Sequence, residues 1–120
     1  MPKLNPDRFF DPDPTVRKIA RELYESVKNM PIISPHGHVD PTIFSENRPF
    51  PNPAELFLIP DHYLFRMLYS QGVSMADMGV PTTDGSPVES DPRKIWQRFA
   101  DHWYLFAGTP SGVWLSHELY

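Results

Sequence analysis

Pro31-Ile32-Ile33-Ser34-Pro35-His36-Gly37-His38 runs an apolar pair into two histidines one residue apart. Side chains at i and i+2 of an extended backbone point the same way, so the two imidazoles can share one divalent ion. Gly37 between them is expected to let the backbone turn tightly. Ile32 and Ile33 read as a short strand over about 31–34. Its continuous apolar character suits a buried parallel sheet better than a solvated hairpin. Five histidines in this chain give about 0.2 such pairs by chance, so spacing alone is a modest signal and the strand end adds weight to it. The bland alternative is a polar loop carrying two unrelated histidines. Two ligands do not complete a zinc site, which takes three or four.

Outward from this stretch the chain reads as helix. Upstream, Asp13 can cap and Pro14 can open a helix. Val16, Ile19, Ala20, Leu23, Tyr24 and Val27 form its apolar stripe, and Pro31 ends it near Asn29. Downstream, Thr42 to Phe44 can make one turn. Asn52-Pro53 opens a short helix through Leu58, and Pro60 breaks it. Asp61 caps a helix that stops at Gly72. Ser74 caps a further short segment, and 79–90 reads as an exposed connection. Asp91-Pro92 starts a helix whose stripe is Ile95, Trp96, Phe99, Trp103 and Phe106, ended by Gly108. Thr109-Pro110 opens a last helix, expected still to be running at Tyr120. One strand among about five helices cannot form a sheet by itself. The expectation is that the remaining strands are absent from these 120 residues.

Composition bounds the function. The chain has 120 residues, 40% of them hydrophobic, with a net charge of -4 and no cysteine. That supports one modest domain and gives no basic field for nucleic acid. Thiolate metal sites, disulfides and cysteine nucleophiles are excluded. No membrane span or targeting segment is read, so a cytoplasmic protein is expected. His62, Tyr63 and Arg66 lie in the first two turns of one helix, and His62 and Arg66 share a face. An imidazole, a phenol and a guanidinium together suit a hydroxylated anionic ligand; taken alone, an ordinary polar helix start explains them as well. The aromatic stripe of 96–106 reads as core, not as a stacking platform. His102 and His117 read as packing or surface residues, and Asp11, Asp13, Asp61 and Asp91 as caps or turn formers.

Three segments together carry a resemblance. Pro31-Ile-Ile-Ser-Pro-His-Gly-His-Val-Asp-Pro, Pro60-Asp-His-Tyr-Leu-Phe-Arg-Met-Leu-Tyr-Ser-Gln-Gly-Val and Asp91-Pro-Arg-Lys-Ile-Trp resemble the N-terminal part of the uronate (glucuronate) isomerases, of the amidohydrolase superfamily. The resemblance covers about Arg8 to Tyr120. It implies an α/β fold, a metal-dependent (β/α)8 TIM barrel. Residues 1–120 would supply the N-terminal helix, the first barrel strand with its histidine pair, and a helical insertion. It implies interconversion of D-glucuronate with D-fructuronate and of D-galacturonate with D-tagaturonate. His36 and His38 match the family's metal ligands, with zinc the expected ion. His62 and Tyr63 match a substrate-pocket pair, and Arg66 is a looser match. A hexuronate is the expected partner, with no nucleic acid and no membrane, and the sequence leaves a homo-oligomer open. A barrel needs roughly 250 residues, so the chain is expected to be an N-terminal segment whose catalytic set is incomplete, inactive alone. The rivals are a metal-dependent hydrolase of the same superfamily and a non-catalytic helical module.

Overall fold

The computed structural model describes residues 4–120. Five α-helices follow one another: α1 (Pro14–Val27), α2 (Thr42–Ser45), α3 (His62–Tyr69), α4 (Pro92–Asp101) and α5 (Pro110–Glu118). A π-helical turn, Ala54–Leu58, precedes α3, and 3₁₀ turns occupy Ala76–Met78 and Trp103–Phe106. Among the described residues there is no strand. The chain divides into two units, up to Pro35 and from His36 onward.

In the first unit, local chemistry starts α1 where the sequence says it should. Asp13 is extended, and its carboxylate accepts the N–H groups of Thr15 at 2.8 Å and Val16 at 3.0 Å. Pro14 occupies the first turn, where its missing N–H costs nothing. Arg21 donates to the Asp7 carboxylate at 2.6 Å and lies over Phe10, which meets Tyr24 edge-on. The apolar stripe forms as a stripe, yet Val16, Ile19, Leu23, Tyr24 and Val27 are all exposed, and α1 contains no buried residue.

The strand expected at 31–34 does not form. These residues carry no regular structure, and Ile32 and Ile33 are 92% and 90% exposed. A strand exists through its ladder of inter-strand hydrogen bonds, and no other described segment offers one. The apolar character of Ile32-Ile33 was read correctly; the structure it was taken to imply depends on a partner.

The second unit has the core. Ala54 and Leu58 of the π turn, Leu64 and Leu68 of α3, Met78 of the first 3₁₀ turn, Ile95 and Phe99 of α4, Phe106 of the second 3₁₀ turn, and Leu115 of α5 are all buried. A fully buried side chain of this size contributes about 1.5–3 kcal/mol. Phe99 sits at the centre, with ring centroids 5.3 Å from Trp96, 5.5 Å from Trp103 and 5.6 Å from Phe106. The aromatic stripe is therefore core, as expected, but it does not lie on one helix. Helix α4 ends at Asp101, His102 leaves helical geometry, and a 3₁₀ turn carries Trp103 to Phe106. The chain bends so that Phe106 returns to Phe99. Both remaining histidines are absorbed locally: His102 Nδ1 lies 2.7 Å from the Arg98 carbonyl, and His117 Nδ1 lies 2.7 Å from that of Val113.

The other caps fall as read. Asp61, Asp91 and Thr109 each accept an N–H of the first turn that follows. Ser74 accepts the Asp77 N–H, and Asn52 that of Glu55. The 79–90 connection is held at both ends. Glu89 N–H bonds the Ala76 carbonyl at 2.9 Å, and Arg98 of α4 donates to the Asp77 carbonyl at 2.8 Å. Helix α5 closes at Glu118 and does not run on to Tyr120; the Leu119 N–H caps it onto Leu115.

Candidate metal and substrate site

The site is built where the start of the second unit meets the N-terminus of α3. Asp61 is extended at φ −90° and ψ 104°, and Pro60 before it keeps the π turn from running on into α3. Its Oδ1 accepts the Tyr63 N–H at 2.8 Å, which fixes the first turn of α3. His62 and Tyr63 lie in that turn, and their ring centroids are 4.4 Å apart.

His36 and His38 meet as the spacing predicts. Their Nε2 atoms are 3.3 Å apart, and their rings stand at 79° to each other. Two imidazole nitrogens bound ~2.05 Å from one tetrahedral ion stand about 3.3 Å apart. The separation therefore fits a shared ion. The histidine–carboxylate donor set suits a divalent metal of the zinc type, and there is no thiolate to compete.

His38 is the junction. Its ring stacks on Tyr63 at 5.1 Å and 27°, and lies 4.9 Å from His62. Its Nδ1 is 3.2 Å from Asp61 Oδ2. Donor atoms of His38, Asp61 and His62 all lie within 4.8 Å of one another, a second grouping able to hold a cation. A cavity of about 430 Å³ opens here, walled by His36, His38, Asp61, Tyr63, Trp114 and Glu118 among others.

Four of the five residues singled out from sequence thus come together: His36, His38, His62 and Tyr63. Arg66 does not join them. It stands one turn further along α3, exposed, and does not line the cavity. Gly37 is a correction of another kind. Its φ is not in the left-handed region, and a Cβ placed on it would meet nothing within 4 Å. The tight turn expected of it is not what the backbone does.

Three participants were missed. Asp61 was read as a cap, which it is, but its second oxygen faces His38 across 22 intervening residues. Trp114 and Glu118 reach the cavity wall from α5, and no motif marks them. Nearby, Asp40 lies two residues before α2: hydrogen bonds from Thr42, with Arg48 adding its charge, hold the Asp40 carboxyl below its usual range.

A family model described as glucuronate isomerase matches residues 7–120. The uronate isomerase of Mesorhizobium japonicum is 55% identical over 115 residues, 96% of this chain and 24% of that protein. That of Nostoc punctiforme is 53% identical over 119 residues, 98% of this chain and 25% of that protein. The crystal structure of glucuronate isomerase from Caulobacter crescentus superposes with a TM-score of 0.80 at 56% identity, over 96% of this chain and 24% of that one. The chain spans about a quarter of the length of the relatives it matches. With the model covering nearly every residue, this chain belongs to the glucuronate isomerase family.

Proposed function

We propose that these residues form the metal-binding and substrate-binding corner of a uronate isomerase acting on D-glucuronate and D-galacturonate. The observation that carries the reading is the 3.3 Å Nε2–Nε2 separation of His36 and His38, set against the His62–Tyr63 turn. The fold that completes the site is a (β/α)8 barrel, with the histidine pair at the face where barrel enzymes keep their chemistry. Within it, residues 1–120 supply the N-terminal helix, the segment bearing the pair, and a helical insertion.

His36 and His38 would hold the ion through Nε2, with zinc the expected metal. A bound divalent cation supplies polarisation of the sugar's carbonyl and hydroxyl oxygens. The other groups of this chain orient the sugar. The Tyr63 phenol and the His62 imidazole offer hydrogen bonds to its hydroxyls. Arg66 offers a guanidinium to the uronate carboxylate, once the substrate or the rest of the barrel draws it in. Stacking of His38 on Tyr63 orients the phenol beside the cavity. The isomerisation moves a proton between C2 and C1, and the base for that step is assigned to no residue of this chain.

The test is a chimera in which this chain replaces the matching 115 residues of the Mesorhizobium japonicum protein. It should convert D-glucuronate to D-fructuronate within about tenfold of the parent. His36→Ala or His38→Ala should cost at least about 100-fold, the kinetic equivalent of the several kcal/mol a metal contributes. A folded chimera that has lost turnover, or one indifferent to both substitutions, refutes the proposal.

A further inference from the structure

We propose that Asp61 is the positioning residue of the metal site, fixing which nitrogen of His38 faces the ion and tying that choice to the substrate-binding turn of α3. The inference rests on His36 and His38 being the metal ligands. Each oxygen of the Asp61 carboxylate has its own partner. Oδ1 takes the Tyr63 N–H at 2.8 Å, and Oδ2 lies 3.2 Å from His38 Nδ1. The other nitrogen of the same ring, Nε2, faces His36 Nε2 at 3.3 Å. The two edges of the imidazole are thus divided between a carboxylate and the place where the pair converges. A proton on Nδ1 directed at Asp61 leaves the Nε2 lone pair free for a metal. Carboxylates that hold a ligating histidine this way set its tautomer and ring orientation.

The His38 and Asp61 side chains are 22% and 24% exposed, so the contact is partly withdrawn from water and stronger than a surface pair. The double use of Asp61 has a structural consequence. The same side chain caps α3, so the orientation of His38 and the position of His62 and Tyr63 are set by one group. A cap alone could be Ser, Thr, Asn or Asp. Of these, only aspartate offers two separate acceptor oxygens, one for the helix and one for the ring.

Asp61→Asn separates the two roles. Asparagine caps as well as aspartate, and with its oxygen kept on the Tyr63 N–H it turns its NH₂ group toward His38. That favours the opposite tautomer, with the proton on Nε2. Long-range ¹H–¹⁵N spectra of the metal-free chain, above the pH of histidine protonation, should show His38 protonated on Nδ1 in the wild type and on Nε2 in Asp61→Asn. Helix content by circular dichroism should be unchanged. Competition for zinc against a chelating dye should show binding weakened about 10- to 100-fold. Asp61→Ser, a second capping variant without a partner for the ring, should weaken zinc binding similarly.

Unchanged tautomer and unchanged zinc affinity in both variants overturn the assignment to Asp61 while leaving the ligand pair standing. Zinc on His38 Nδ1 in the loaded wild type also overturns it, because Asp61 would then be a ligand itself. Zinc bound as tightly by His36→Ala and His38→Ala as by the wild type refutes the ligand pair, and the role of Asp61 falls with it.

Discussion

Replacing Gly112 by alanine should destabilise this chain, although alanine is the better helix former. Gly112 lies in the first turn of α5, and a Gly→Ala change in an open helix gains about 1 kcal/mol. Here the added Cβ would overlap the Phe106 carbonyl oxygen and stand 2.9 Å from its carbonyl carbon. Both are backbone atoms, so no rotamer change relieves the overlap. That oxygen is also pinned by two donors, the Thr109 N–H at 3.1 Å and the Thr109 hydroxyl at 2.8 Å. Thr109 in turn caps α5 through the Gly112 N–H at 3.0 Å. Overpacking of this kind costs about 1–3 kcal/mol, and weakening the pinned hydrogen bonds adds about 0.5–1.5 kcal/mol each. Against the propensity gain, the net loss is about 1–5 kcal/mol. For a chain of this size that lowers the melting temperature by roughly 4–20 °C, read by circular dichroism at 222 nm. Gly37→Ala is the internal control, since its Cβ meets nothing and its φ suits any residue. It should leave the melting temperature unchanged or raise it slightly. A Gly112→Ala protein as stable as the parent would refute the packing described for α5 against the Trp103–Phe106 turn. Because α5 carries Trp114 and Glu118 to the cavity wall, the same variant should also perturb that wall.

Phe99→Ala removes the ring at the centre of the aromatic cluster and should cost about 3–5 kcal/mol in urea unfolding; a loss below about 1 kcal/mol would mean the cluster is not the core. The Asp91 N–H hydrogen bond first, and then the charges of Lys94 and Arg98, hold the Glu89 carboxyl below the usual value of 4.5. A lowered folded pKa contributes stability that is present above the unfolded pKa and is lost as pH falls through the folded one. The wild type should therefore lose more stability than Glu89→Gln between pH 6 and pH 3, and parallel pH profiles would contradict the contact. Arg98→Ala should loosen the 79–90 connection, seen as faster amide exchange at Glu89, whose N–H bonds the Ala76 carbonyl; exchange there unchanged would show that the Arg98–Asp77 bond holds nothing in place.

What was legible in this sequence was what is decided locally. Asp13, Asp61, Asp91 and Thr109 cap the helices predicted for them because capping involves residues two or three apart. Three of those helices open with proline just inside the cap. The stripe of α1 was legible as a pattern, but periodicity tells which face is apolar and not what covers it. The strand expected at 31–34 fails for a related reason: a strand is made by its neighbour, and Ile32-Ile33 has none among the described residues. The break at His102 was hidden because spacings of four and three along 99, 103 and 106 fit a continuous helix as well as a helix followed by a 3₁₀ turn. The histidine pair was legible from i, i+2 geometry. Its link to Asp61 was not, since residues that far apart in sequence are joined by folding alone.

The most direct test of the metal site is zinc-edge X-ray absorption on the chain loaded with one equivalent of zinc. Two imidazole nitrogens at about 2.0–2.1 Å are expected in the wild type, and one in each of His36→Ala and His38→Ala. Identical imidazole scattering in the wild type and both variants would show that His36 and His38 do not hold the ion together.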